Sequence, residues 1–201
     1  MVTQGLISTR EDILERAIPL FARLGFHGVS MRDIAAEVEM QAAALYHHFA
    51  DKEALYLAAM AYAFKDKSVV LTQAIAIPGT PLERLNRFVE TLAEGMGRDP
   101  DFLALLQRER IDGNETRLKL LAEEVFAEPF DALLTLAKEI APAHDSHMVA
   151  ISICALVMYH METAPMRRFL PGWHTTLDQP KFIAKHAMAL LAQLFADGDQ
   201  K

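Results

Sequence analysis

Apolar residues recur every three or four positions along nearly the whole chain, so the pattern predicts an all-α protein of about nine helices. The first helix is expected from Thr9 to near Leu24. Ile13, Ala17, Phe21 and Leu24 form its stripe, Thr9 and Asp12 have capping-box spacing, and Gly25 and Gly28 supply the cap and the turn beyond it. Pro19 removes the amide bond to the Glu15 carbonyl and is expected to bend this helix. Two short patterns follow, Ser30 to Val38 and Ala42 to Phe49, separated by Glu39, Met40 and Gln41. Ser30 caps the first, with Asp33 three residues on; Ile34, Ala35 and Val38 share a face, and Leu45 and Phe49 repeat at i, i+4. Two short helices joined by a tight turn make a helix-turn-helix, whose second helix is shaped to enter the major groove of DNA.

Beyond it, a long helix is expected from Asp51 to about Ile75, until Ile77-Pro78-Gly79-Thr80-Pro81 breaks the chain. Thr80, Pro81 and Glu83 announce the next helix, buried through Leu85, Phe88, Val89, Leu92 and Met96. A short helix spans Asp101 to Ile111, and a long pattern covers Glu115 to Ile140, with a kink expected at Pro129. The helix from His147 to about Thr163 is apolar almost all round, which predicts burial. Ala164-Pro165 to Trp173 reads as irregular or a short helix, and the last helix runs from Pro180 to about Phe195.

Tyr46-His47-His48-Phe49 followed by Asp51-Lys52-Glu53-Ala54-Leu55, together with Ser30-Met31-Arg32-Asp33-Ile34-Ala35, resembles the DNA-binding domain of the tetracycline-repressor (TetR) family of bacterial regulators. The resemblance spans about Thr9 to Leu57; beyond that it rests on length and helical layout. It implies a helix-turn-helix DNA-binding domain at residues 1–53 and an effector-binding and dimerisation domain at 54–201. It further implies a homodimer on a palindromic double-stranded operator, released by a small-molecule effector. By motif position, the backbone contacts fall at Tyr46, His48 and Lys52, whose phenol, imidazole and ammonium all donate to phosphate oxygens. Asp51 caps the following helix, and a helix start beside a lysine suits a phosphate. Ser30, Arg32 and His47 complete the expected DNA face. Gln41 would hydrogen-bond adenine, while Ala42 and Ala43 would touch thymine methyl groups.

The turn departs from that family, which usually places Gly there, often followed by Val and Ser. Here the residues are Glu39, Met40 and Gln41. A positive φ at such a position costs most residues roughly 1 kcal/mol or more relative to Gly. Glu39 also sets a negative charge near the expected DNA, so weaker and less specific binding is anticipated.

Charge adds to that expectation. The 201 residues carry a formal net charge of −7, which excludes a protein that coats nucleic acid by bulk charge. The segment from Thr9 to Glu53 holds five cations and eight anions, so DNA docking must rest on the motif. Hydrophobic residues make up 52%, enough for a packed core. The lone Cys154 forms no internal disulfide and reads as a core thiol in a reducing cytoplasm. No signal peptide is visible in Met1 to Ser8. His147, His160 and Glu162 bracket the apolar run Ile151 to Met158 too closely for a membrane span, so a cytoplasmic protein with no membrane partner is expected.

The second half is rich in Met and aromatic residues, each of which alone reads as core. The resemblance implies that some of them line an effector cavity: Phe88, Met96, Phe102, Phe126, Phe130, Met158, Met161 and Trp173, with Glu109, Glu162 and His160 as polar handles. Such walls suit an apolar or aromatic ligand. The helices His147–Thr163 and Pro180–Phe195, the latter with Leu190, Leu191 and Leu194, are expected to form a four-helix dimer interface. Two rivals stand beside this reading. One is the same fold without specific DNA binding, acting as a small-molecule or protein adaptor. The other is a helical enzyme or metal protein, supported only by scattered histidines such as His144, His147 and His160. No HExxH, Walker loop, GxSxG elbow or dinucleotide fingerprint accompanies them, so no enzyme activity, cofactor or metal is expected.

Overall fold

The structure is a computed structural model that describes residues 9–198. Met1 to Ser8, expected to carry no signal peptide, lies outside them. The elements are α1 (Arg10–Leu24), α2 (Met31–Glu37), α3 (Ala42–His48), α4 (Lys52–Ala76), α5 (Pro81–Arg98), α6 (Pro100–Asp112) and α7 (Glu115–Leu121). A π-helical turn (Ala122–Phe126) leads into α8 (Ala127–Ile140), then α9 (Ser146–Arg167), a 3₁₀ turn (Thr175–Asp178) and α10 (Pro180–Gly198). The described residues contain no strand. With α7, the π turn and α8 counted as one run, they form the nine helices that the periodicity predicts.

The chain divides into two compact units, the first holding residues up to 66 and 101–125, the second 67–100 and 126 onward. The functional boundary expected between residues 53 and 54 is a different division, because the first unit also takes in the start of α4, nearly all of α6, and α7.

In the first unit, Thr9 and Ser30 each cap a helix and donate a reciprocal backbone bond to the Asp12 and Asp33 carboxylates, as the spacing predicts. These bonds from the Thr9 amide and from the Ser30 hydroxyl and amide hold both carboxyls below their usual range. Ile13, Leu14, Ala17 and Phe21 of α1 meet Ile34, Leu45, Leu55 and Tyr56 in its core. Pro19 sits on the exposed side of α1, and the helix continues through it. At Gly28, any Cβ would lie 2.3 Å from the Leu24 carbonyl oxygen, so only glycine makes this turn. Glu39 adopts φ 56°, the only positive φ among the described non-glycine residues.

In the second unit, α5 packs against α8, α9 and α10. Leu85, Phe88, Val89 and Ala93 meet Leu133, Leu136, Ile153, Val157, Ile183 and Ala187. Each such large apolar side chain contributes roughly 1.5–3 kcal/mol on burial. Arg84 and Arg87 of α5 donate to the Ile75 and Ala74 carbonyls, closing the end of α4 with charge of the favoured sign.

Three expectations change. The irregularity expected at Pro129 lies just before it, at the π turn, and Pro129 itself occupies the first turn of α8. Helix α9 runs through Ala164 and Pro165 to Arg167 instead of ending near Thr163. It is also not buried all round: Ala150, Ile153, Val157 and Met161 face the core, while Met148 (61% exposed) and Tyr159 (66%) stand on the opposite side. One helix has only so many neighbours, and α5, α8 and α10 cover one face of α9. By length and composition alone α9 is also long and apolar enough to cross a membrane.

Candidate nucleic-acid interface

Helix α3 is two turns long and buries only Leu45, with Phe49 just past its end. Those two side chains fix its roll. Gln41, Ala43, Tyr46, His47 and His48 therefore point to solvent, and Ala42 is half-buried. Gln41 occupies the cap position without bonding the helix, so its amide is free to reach a partner. Across the turn, Arg32 is exposed at the start of α2 and Ser30 holds the cap. Arg10 lies over the Phe49 ring, 4.8 Å from its centroid, at the far end of α3.

Lys52 is less free than its motif position implies. Its ammonium donates to the Phe26 and Val29 carbonyls at 2.9 and 3.0 Å and sits 4.3 Å from the centre of the Phe26 ring. Two of its three N–H groups tie α4 to the α1–α2 turn, which leaves one for a phosphate. Asp51 caps α4, accepting from the Ala54 amide at 2.8 Å, as expected. Arg16 is engaged as well: its guanidinium donates to the Glu37 carbonyl at the end of α2.

A buried charge network supports this surface. Arg117 of α7 donates to Glu109 of α6 at 2.8 Å and to Asp112 at 3.2 Å; Glu109 is 0% and Arg117 3% exposed. The Tyr56 hydroxyl donates to the second Glu109 oxygen at 2.8 Å. Burial and the Glu109 carboxylate push the Tyr56 phenol far above its ordinary pKa. Arg117 also covers the ring on which Lys52 sits, lying 4.7 Å from the Phe26 centroid. Arg108 of α6 donates to the Ala22 and Arg23 carbonyls at 2.7 and 2.6 Å, gripping the end of α1. The sequence reading missed Phe26, Arg108 and Arg117, because these residues take partners far away in the sequence, Arg108 on Ala22 and Arg117 on Phe26, and no local spacing marks them.

The expected cavity residues are divided between the two units, with Phe102 and Glu109 in the first and the others in the second. Glu109 has both oxygens occupied in the network just described, so its expected role as a ligand's polar handle gives way to a structural one. Phe102 belongs to the same unit and packs on Phe64 at 4.4 Å. In the second unit Phe88, Met96 and Met161 are core, while Phe126, Phe130, Met158, His160 and Trp173 are half-buried. Phe130 meets His147 edge-on at 5.2 Å. His160 accepts from Arg167 at 2.9 Å, and Trp173 donates to Asp178, which also pairs with Arg167. A recess of about 230 Å³ lies elsewhere in that unit, lined by Met148, Val149, Ser152, Leu191, Leu194 and Phe195 with His144 and Asp145. Among the described residues no three His, Cys, Asp or Glu side chains are grouped as a metal site. Burial raises the Cys154 thiol to about 11.

Residues 13–59 match the family model of the bacterial regulatory proteins, tetR family. The transcriptional repressor KstR of Mycolicibacterium smegmatis is 30% identical over 91 residues, 45% of each chain. The biofilm operon negative regulator IcaR of Staphylococcus aureus is 38% identical over 47 residues, 23% of this chain and 25% of its own. The matches thus span less than half the length of these curated relatives. Two solved structures share the fold. PfmR of Thermus thermophilus, a TetR-family regulator, superposes with a TM-score of 0.69 at 23% identity, over 90% of this chain and 97% of its own. AibR in complex with isovaleryl coenzyme A and operator DNA gives 0.72 at 23% identity, over 90% and 96%.

Proposed function

We propose, for a chain that belongs to the tetR family of bacterial regulatory proteins, a ligand-responsive transcriptional repressor that binds a palindromic operator as a homodimer. The observation that carries this is the surface of α3: Leu45 and Phe49 pin the helix inward, and Gln41, Ala43, Tyr46, His47 and His48 are left outward at the motif's own positions. Tyr46, His48 and the remaining Lys52 N–H bind phosphates, and Gln41, Ala42 and Ala43 read base edges. Ser30, Arg32 and His47 flank them. Residues 1–53 serve the DNA and residues 54–201 the effector and the dimer.

The dimer reading is supported by a second stripe on α9, opposite its core face. Met148, Ser152, Ala155, Tyr159, Glu162 and Met166 follow alternating steps of four and three, the repeat by which one helix packs along another. On α10, Phe182, His186, Ala189 and Gln193 do the same, with Leu190 beside them. Two such helices from each copy form a four-helix interface with two-fold symmetry. The effector is a small apolar or aromatic molecule, in keeping with the Met and aromatic content of the second unit. Its binding changes operator affinity by a reciprocal coupling free energy of about 1–3 kcal/mol.

A second reading, a small-molecule or protein adaptor without specific DNA binding, draws on Glu39, whose carboxylate stands at a left-handed turn beside α3. An electrophoretic gel shift with duplexes from the DNA flanking the gene decides between the two. A discrete, competitor-resistant shift supports the repressor; no preference over scrambled duplex supports the adaptor.

A further inference from the structure

At the end of α9, Arg167 joins three side chains that neither the DNA surface nor the dimer stripes account for. Arg167, the last residue of α9, folds back along the helix and donates from Nη1 to Nδ1 of His160 at 2.9 Å. From Nη2 it donates to the Leu177 carbonyl at 2.9 Å and to Asp178 at 2.5 Å, both in the 3₁₀ turn. The Trp173 indole donates to the second Asp178 oxygen at 2.9 Å. One guanidinium thus ties the connection between α9 and α10, residues 168–179, to the body of α9. Its Nε is buried and has no partner among the described residues. The connection has a firm far end: Pro180, the first residue of α10, packs so closely on Gly97 of α5 that a Cβ there would lie 2.3 Å from its ring.

We propose that His160 and Arg167 form a proton-operated latch: neutral His160 holds the connection against α9, and protonated His160 lets it go. A guanidinium keeps its protons, so in this bond Arg167 is the donor, Nδ1 is the acceptor and the imidazole proton sits on Nε2. A second proton fills the Nδ1 lone pair, removes the acceptor and sets two cations face to face. His186 of α10 stands edge-on to the same ring, with centroids 5.6 Å apart. Burial first, then Arg167 and His186, hold the His160 pKa below its ordinary value. Of the elements packed around it, α9 itself also carries Glu162, α10 carries Lys185, α5 carries Glu90 and Glu94, and α8 carries Glu128 and Asp131. Asp178 is held below the usual carboxylate range by its bond from Arg167, so it keeps its charge while His160 switches. The folded chain prefers the neutral ring. The latch therefore gives its full stability above the unfolded value near 6.5, and loses it as pH falls through the lower folded pKa. Release loosens the 3₁₀ turn, Trp173 and the exposed Phe169 and Leu170, and it stops at Pro180. The device lies within the second unit and rests on neither the operator nor the dimer reading.

Trp173 is the chain's one tryptophan, so its fluorescence reports on the latch directly. The test follows Trp173 emission of the full-length protein from about pH 8 to pH 5, the range in which imidazoles titrate, with circular dichroism confirming the fold at each pH. Wild type should show a single step with its midpoint below about 6.5. His160→Gln keeps an acceptor for Arg167 but does not titrate, so the step should disappear. His186→Gln removes a repelling neighbour, so the midpoint should move up. His174, exposed and next to Trp173 in the chain, is the control: His174→Gln should leave the step in place. Urea midpoints at pH 7.5 and pH 5.5 give a second reading, and the loss on acidification should be larger in wild type than in His160→Gln. Emission that stays flat in wild type overturns the proposal. A step that survives in His160→Gln, or vanishes in His174→Gln, overturns it too. So does an equal loss of urea stability in wild type and His160→Gln.

Discussion

Arg117 and Lys52 flank the same ring: the guanidinium lies 4.7 Å and the ammonium 4.3 Å from the centroid of Phe26. Helix α7 and the start of α4 thereby meet at the turn that leads into the helix-turn-helix. Arg117→Ala removes one half of a buried pair with Glu109 and leaves that carboxylate uncompensated. A destabilisation of about 3–5 kcal/mol is expected, read as a lower urea midpoint.

The Tyr56 phenol carries a pH prediction. Burial first, then its bond to Glu109, raises its pKa in the folded chain above the unfolded value near 10. Above that pH the unfolded phenol ionises while the folded one keeps its proton, so the unfolded state binds fewer protons and stability falls as pH rises. Tyr56→Phe should be less stable at pH 7, by about 1–3 kcal/mol from the unsatisfied Glu109 oxygen, and should lose this alkaline sensitivity. Denaturant titrations at pH 8 and pH 10.5 give both numbers.

Much of this architecture was legible in the sequence, and for local reasons. Thr9, Ser30, Thr80 and Asp51 cap the helices that their spacing announces, and Gly28 stands where a Cβ would strike the Leu24 carbonyl. The turn at Glu39 was legible too, since the two short amphipathic patterns leave only three residues between them. What was not legible depends on partners distant in sequence. Apolar content all round α9 could not show which side its neighbours would cover. Glu109 read as a ligand's handle because nothing near it in sequence names Arg117 and Tyr56 as its partners. Lys52 read as a pure phosphate contact because the carbonyls of Phe26 and Val29 become available only when α1 turns back.

The exposed stripes of α9 and α10 predict a dimer that one charge can break. Tyr159→Asp or Leu190→Asp should yield monomer at micromolar concentration by analytical ultracentrifugation, while wild type sediments as a dimer. A wild-type monomer under those conditions would remove the interface from this account.

Glu39→Gly tests the turn. Glycine adopts φ 56° freely, so the change should relieve roughly 1 kcal/mol of strain and remove a repelling charge beside α3. Tighter and more salt-tolerant DNA binding, with a higher melting temperature, is expected. Unchanged stability would show that the Glu39 backbone is not strained.

The central claim is that α3 reads an operator through its first turn, and a titration of wild type and Gln41→Ala tests it most directly. Each protein is measured on its gene-flanking duplex and on that duplex changed at single base pairs, at several salt concentrations. Wild type should prefer the native sequence. Gln41→Ala should lose about 1–3 kcal/mol of discrimination at one base pair in each half-site and keep its salt slope, because Gln41 contacts a base and not a phosphate. Equal affinity of wild type for native and altered duplexes, or a Gln41→Ala effect that appears only in the salt slope, would contradict it.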